Sequence, residues 1–274
     1  MPKTELYRYL RDRTDLLRAV ELVGPSGQLD ERKAKKLGEI AGFCELILTY
    51  VDRFPARRKP LRVVEFSCGK SYLGVVLVVL LRELAQTQAQ LVGVDWNSGL
   101  IEKCRQVADA AGLDEAQFVA SRTREFAGDG EFDLAVALHA CDTATDEAIA
   151  KGIELGVPLI LTVPCCQNQI RGQIKAGHAL VAMTEFGPIR YRLANMLTDV
   201  LRAQFLRSAG YFVELQEIAS PRLTPKNLCI CARKLRHRPK RRRDAEYRTL
   251  RDFFGVRPAI ERLCPGVVTE EEDN

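Results

Sequence analysis

Residues 63–74 read VVEFSCGKSYLG. An apolar run ends in an acid, passes through a Gly-Lys-Ser turn and meets a second apolar stretch, VVLVVLL at 75–81. Two cofactors compete for a strand-to-helix turn of this kind. A triphosphate loop needs G-x-x-x-x-G-K-[ST], which with Gly69-Lys70-Ser71 puts the first glycine at position 64. Val64 stands there, inside the strand, and Glu65 would lie beside the phosphates at an electrostatic cost. The dinucleotide fingerprint G-x-G-x-x-G is missing as well. What remains is acid, x, small, x, Gly, x, small: Glu65, Ser67, Gly69 and Ser71, with Cys68 and Lys70 between them. Small residues let the backbone approach a ligand, and the following helix offers free N–H groups.

Asp95, in GVDW, closes the next apolar strand. An acid in that place accepts hydrogen bonds from ribose hydroxyls, and Trp96 beside it offers an apolar surface. Either acid alone also fits a strand that merely ends at the surface. Two on consecutive strands, with a glycine turn between, point to a cofactor. Acids around the turn favour a cationic ligand over a polyphosphate. S-adenosylmethionine fits, having a sulfonium, an ammonium, a ribose diol and only one carboxylate.

Outward from this turn the chain alternates. Strands are expected at LRVVEFS, AQLVGVDW, QFVAS (ending in Ser121), FDLAVALHACD and PLILTVPCC, with helices between most of them. Ser98 is placed to cap the second of these helices. A long helix over 190–210 ends at Gly210, a natural residue for a helix stop, and YFVELQEIA and NLCICARKL follow as the last two strands. Continuous apolar strands alternating with helices predict an α/β fold, a Rossmann-like parallel sheet covered on both faces. No helix separates the final two strands, so they form an antiparallel hairpin at one edge. Upstream, helices are expected over 4–20 and 31–53. Three parts follow: a helical extension at 1–60, the sheet domain at 61–235, and an extension at 236–274 that is basic and then acidic.

The composition agrees. Of the 274 residues 46% are apolar, enough for a sizeable core and against wholesale disorder. No apolar run nears the roughly 20 residues that span a bilayer, so no membrane contact is expected. The charged start, MPKTELYRYLRDR, has no secretory h-region. Nine cysteines, several inside apolar runs, fit reduced thiols in a cytoplasmic protein. The net charge of +5 is concentrated: 233–243 reads RKLRHRPKRRR, while the chain ends TEEEDN. Arg241 and Arg242 belong to that run, which suits a phosphate backbone; a solvated basic tail has the same composition.

Two further stretches, LHACDTATD at 138–146 and VPCCQNQI at 163–170, each follow an apolar strand. Both belong at the carboxyl edge of the sheet, where open α/β sheets place ligands. In order, EFSCGKSYL, GVDW, LHACDTATD, VPCCQ, LTDVLRAQFL and TPKNLCI resemble a family of class I S-adenosylmethionine-dependent methyltransferases. The resemblance covers roughly residues 31–235. More distantly, the Cys-Cys after the fifth strand is similar to that of 2′-O-methyltransferases acting on the tRNA acceptor stem. The resemblance implies a seven-stranded methyltransferase sheet and S-adenosylmethionine. The chain departs from the family pattern at Ser67, where the family has glycine, and at Glu65, where it has aspartate.

Methyl transfer is an in-line displacement, so such an enzyme mainly positions two reactants. The expected cofactor contacts are Glu65, Ser67, Cys68, Gly69, Lys70, Ser71, Asp95, Trp96, Ser121 and His139. His139 and Asp142 are candidates for a general base or for orienting the acceptor. A core histidine bonded to backbone is the plainer reading of His139. Cys165 and Cys166 are buried packing thiols, hydrogen-bonding groups in the acceptor pocket, or ligands of a zinc ion shared with Cys141 and His139. Adjacent cysteines chelate one ion awkwardly, so no metal is expected. Gln167, Asn168, Arg241 and Arg242 are expected to meet the acceptor. The reaction class predicted is methyl transfer from S-adenosylmethionine to RNA, rRNA or tRNA. The alternatives are a protein or small-molecule acceptor, and a non-catalytic RNA-binding module keeping the fold.

Overall fold

In the computed structural model the apolar runs become the seven strands of one sheet. The residues described are 5–24, 26–51, 59–174, 180–219, 227–236 and 240–268, the side chains of 181 and 240–242 excepted. Three helices come first, α1 (Glu5–Asp12), α2 (Thr14–Ala19) and α3 (Glu31–Val51). Then β1 (Leu61–Phe66), α4 (Tyr72–Glu83), β2 (Ala89–Asp95), α5 (Ser98–Ala110) and β3 (Gln117–Ala120) alternate. They continue through β4 (Leu134–Leu138), α6 (Thr143–Glu154) and β5 (Leu159–Val163) to the short α7 (Asn168–Arg171) and α8 (Val181–Thr184). The chain closes with α9 (Gly187–Ser208), β6 (Tyr211–Glu217), β7 (Leu228–Lys234), α10 (Lys240–Phe253) and α11 (Ala259–Leu263).

The strand order is β3-β2-β1-β4-β5-β7-β6. Neighbours among β1–β5 are parallel, and β7 runs antiparallel to both β5 and β6. This is the α/β sheet expected, with the reversed strand inserted second from the edge. The order reverses between β1 and β4, so a crevice opens there at the carboxyl ends of the strands.

Because successive residues of a strand face opposite sides, each strand feeds two apolar layers. Val63, Leu91 and Leu161 pack under Leu10, Leu17, Ile40, Phe43 and Leu77 of the first four helices. Val64, Val94, Ile160 and Ile230 pack under Ile149, Leu201, Phe205 and Tyr247 on the opposite face. The N-terminal helices therefore share the core of the sheet. α3 also crosses closely behind β6: a Cβ added at Gly42 would fall 1.7 Å from the carbonyl oxygen of Ile218.

Several local expectations are revised. The helix expected over 4–20 breaks at Arg13, whose guanidinium turns to Asp15 and Glu83. The cap of α5 is Asn97 and not Ser98, its Oδ1 accepting from the N–H groups of Gly99 (3.0 Å) and Leu100 (3.2 Å). Helix α9 starts three residues earlier than expected, with Pro188 in its first turn, and does stop before Gly210, which takes a positive φ. The basic extension is not only a tail. Much of it is α10, whose Tyr247 is fully buried with its ring edge-on to Phe205, 5.7 Å between centroids. Residues 237–239 and 269–274, and the side chains of Arg241 and Arg242, lie outside the described residues.

Candidate functional site

A cavity of about 440 Å³ opens at the crevice, lined among others by Ser67, Asp95, Trp96, Arg122, His139 and Cys141. Three strand ends and one loop therefore converge on one space, as the sequence predicted for the segments after β1, β2 and β4.

Asp95 is 8% exposed, and its carboxylate closes the first turn. Its Oδ2 accepts from the N–H of Gly69 at 2.9 Å and its Oδ1 from the N–H of Asn97 at 3.0 Å. These bonds fix the carboxylate and leave each oxygen a further lone pair for a ligand hydroxyl. Trp96 is 74% exposed beside it. Ser121 reaches this corner through its backbone, its N–H donating to the carbonyl of Asp95 at 2.9 Å. The next residue, Arg122, is the one that faces the cavity.

Glu65, paired with Asp95 in the sequence as a second gripping acid, is turned the other way. It is 3% exposed and accepts from the Ser71 hydroxyl and from the N–H of Gly74, 3.2 Å away. Its contribution is to tie β1 to the start of α4. Burial pushes its carboxyl up to about 7, the bonds from Ser71 and Gly74 opposing the shift. An acid whose folded-state pKa exceeds its ordinary value near 4.3 stabilises the fold fully below that value and loses the contribution as pH rises through 7. The uncharged Glu65→Gln variant keeps an acceptor for both bonds and lacks this loss. It should match the parent near pH 4.5 and exceed it by about 3–4 kcal/mol above pH 8, read from denaturant midpoints at the two pH values.

Ser71 is fully buried, Cys68 is buried, and neither is among the residues lining the cavity. Lys70, expected at the cofactor, is engaged elsewhere. Its ammonium pairs with Glu21 at 2.9 Å, and Lys103 holds the other oxygen of Glu21 at 2.7 Å. The two lysines hold the Glu21 carboxyl down at about 2.

The turn is built on left-handed backbone: Ser67 (φ 51°), Gly69 (φ 56°) and Ser71 (φ 52°). A glycine takes this conformation freely, whereas a side chain costs roughly 1–2 kcal/mol. Ser67 therefore carries strain that a glycine would relieve. Ser67→Gly should raise stability by about 1 kcal/mol in denaturant melts.

The second half of the site comes from the loops after β4 and β5. His139 (φ 60°) and Asp142 (φ 52°) again sit in the left-handed region, so two more of the strained positions fall at this cavity. The imidazole Nε2 of His139 lies 3.0 Å from Oε2 of Glu39, a buried acid of α3. Its Nδ1 is shielded from solvent and has no hydrogen-bond partner among the described residues. Glu39 was not anticipated, because it lies 100 residues upstream and only folding brings the two together.

Asp142 is a clamp. Its Oδ1 accepts from the N–H groups of Asn168 (2.9 Å) and Gln169 (3.0 Å), and its own N–H donates to the carbonyl of Cys166 at 2.9 Å. The two loops are thereby laced together. Three thiols meet across this seam, those of Cys141, Cys165 and Cys166, every sulfur within 4.8 Å of the others. Burial, followed by the contact with Cys141, pushes the Cys165 thiol upward. Gln167 is buried and donates to Asp199 at 2.7 Å, so of Gln167 and Asn168, both expected to meet an acceptor, only Asn168 is exposed. Behind them Arg202, 1% exposed, holds Asp146 through two bonds (3.1 and 2.6 Å) and the carbonyl of Asp142 through a third (2.8 Å).

A family model described as a methyltransferase domain matches residues 35–173, starting inside α3 and ending just beyond α7. The human and Macaca fascicularis proteins named glutathione S-transferase C-terminal domain-containing protein are 24% identical over 193 residues, 62% of this chain and 29% of theirs. The Mus musculus protein of that name is 30% identical over 114 residues, 42% of this chain and 17% of its own. The matched region thus spans less than a third of those relatives. Among solved structures, magnesium protoporphyrin IX methyltransferase from Synechocystis PCC 6803 with bound S-adenosylhomocysteine superposes with a TM-score of 0.51 at 13% identity. The match covers 84% of this chain and 100% of that one, a likeness of fold. Among the described residues no helix is long and apolar enough to cross a membrane.

Proposed function

The chain belongs to the methyltransferase-domain family, and from that premise we propose that it methylates RNA. The methyl donor is S-adenosylmethionine. Its ribose diol fits the free lone pairs of Asp95, and its adenine the exposed face of Trp96. The sulfonium already activates the methyl carbon, so the residues on the acceptor side need only to aim a nucleophile and handle its proton. His139 does the aiming: it lines the cavity, and the contact of its Nε2 with Glu39 fixes the ring. Asp142 keeps the two loops in register and touches no reactant. Nine unpaired cysteines favour a reducing, cytoplasmic setting.

One observation carries the choice of RNA. Just past the Cys-Cys loop, exposed Arg171 holds its guanidinium 5.7 Å from the centre of the Tyr191 ring, and the first turns of α9 also carry exposed Arg190 and Arg192 behind an N-cap Phe186 that is 60% exposed. Cations interleaved with aromatic faces grip phosphates and stack unpaired bases, which is how single strands are held. The basic run 233–243 begins at the other end of α9, where the Leu235 N–H donates to the carbonyl of Gly210, and is separate from this patch.

The test compares methylated nucleosides by mass spectrometry in total RNA from cells with and without the protein. One methylated nucleoside should vanish, return with the parent protein, and stay absent with His139→Ala. Changing Arg171, Arg190 and Arg192 together to Ala should weaken RNA binding and lower the salt-dependence slope by about 2, at roughly 0.7 per single-strand phosphate contact. A nucleoside profile that does not change would overturn RNA in favour of a protein or small-molecule acceptor.

A further inference from the structure

We propose that Cys141, Cys165 and Cys166 bind one zinc ion through three thiolates, with its fourth position facing the cavity. From sequence, zinc on these cysteines with His139 is set aside because adjacent cysteines chelate poorly; the fold brings the three sulfurs together and turns His139 Nε2 to Glu39. Sγ of Cys141 lies 2.9 Å from Sγ of Cys165, which in turn lies 3.8 Å from Sγ of Cys166. Tetrahedral zinc with bonds of about 2.3 Å holds its sulfurs about 3.8 Å apart, so one pair already has the spacing, a second opens by less than an ångström, and the third lies within 4.8 Å. No disulfide joins them.

The ligand set is braced without the metal. His139 N–H donates to the carbonyl of Val163 and Asp142 N–H to that of Cys166, both at 2.9 Å, while Arg202 grips the carbonyl of Asp142. Sulfur donors select zinc over magnesium, calcium or manganese, whose preference is oxygen. Three protein ligands with one open position is the arrangement of a zinc that acts on a bound group. Cys141 supplies the opening, being exposed and part of the cavity wall, whereas Cys165 is buried. A heteroatom of the acceptor entering there would meet a Lewis acid beside His139. Zinc uptake does not depend on the acceptor being RNA.

The test uses the full chain, purified under anaerobic reducing conditions, freed of metal with a chelator and titrated with cobalt(II) as a visible stand-in. One equivalent should produce thiolate-to-cobalt charge-transfer bands and the d–d bands of a tetrahedral site, and one equivalent of zinc should erase them. Cys141→Ser and Cys166→Ser should each weaken uptake by at least the roughly 10–100-fold that loss of an outer hydrogen-bond partner causes. Cys264→Ser, remote from the cluster, should leave it unchanged. Calorimetry with S-adenosylmethionine on the metal-free protein reports separately on the cofactor site. Absence of the tetrahedral spectrum at one equivalent overturns the proposal, as does its persistence in the Cys141→Ser/Cys166→Ser double variant.

Discussion

Asp95→Ala should bind S-adenosylmethionine about 100- to 10,000-fold more weakly than the parent in calorimetry. Among the described residues the carboxylate is the only acid lining the cavity from the β1–β2 side, and a ribose diol gives it two hydrogen bonds. Bonds to a charged acceptor contribute about 1.5–3 kcal/mol each, and every 1.4 kcal/mol is a factor of ten. The alanine also frees the N–H groups of Gly69 and Asn97, so the turn is left with the bond from Cys68 N–H to the Val94 carbonyl as a tie to β2. Asp95→Asn separates the two effects. It keeps an oxygen for the Gly69 N–H and loses the charge, and should fall between the parent and the alanine variant. Asp15→Ala, at an exposed acid of α2, should change nothing. If Asp95→Ala bound the cofactor within about threefold of the parent, adenosine would not be held at this strand end, and the placement of the donor would fail with it.

The elements legible in the sequence were those whose physics is local. Alternating apolar strands and helices define the sheet, since burial on both faces leaves a periodic trace that needs no partner to be read. The strand-closing acid Asp95 was legible for the same reason. Glu65 looked equivalent in sequence, and only the three-dimensional path of α4 turns it inward to Ser71 and Gly74. Lys70 beside a glycine turn invites an anionic ligand, yet its counter-charge is Glu21, 49 residues upstream. Glu39 is the clearest omission: on α3 it is one acid among charged neighbours, and nothing local marks His139 as its partner. The opposite error occurs in α10. RRRDAEYRTLRDFF carries its apolar residues at helical spacing, Tyr247, Leu250 and Phe254, but the density of charge obscured them. Tyr247 and Leu250 pack into the second apolar layer, so the segment is part of the core.

Arg202→Met should destabilise the fold by about 3–5 kcal/mol, a large share of the roughly 5–15 kcal/mol that holds a domain folded. The guanidinium is buried, with its charge opposite Asp146 at 2.6 Å and Asp199 at 3.5 Å. Methionine fills much of the same volume, so the deficit comes from stranding two carboxylates in an apolar interior. That origin has a pH signature. Burial already pushes Asp199 up to about 6 with the arginine in place. Without the arginine Asp199 favours protonation further, so the deficit should be small near pH 5 and grow as pH rises past 6. Packing loss alone would give a deficit independent of pH. The double variant Arg202→Met/Asp146→Leu removes one stranded charge with its partner and should recover more than half of the loss, a coupling that denaturant unfolding can measure. The same arginine donates to the carbonyl of Asp142, the residue that laces the Cys141 loop to the Cys165-Cys166 loop. Methyl transfer by Arg202→Met should therefore fall more than the folded fraction does. Equal losses would mean that the network supports the fold and leaves the alignment of the two loops to their own hydrogen bonds.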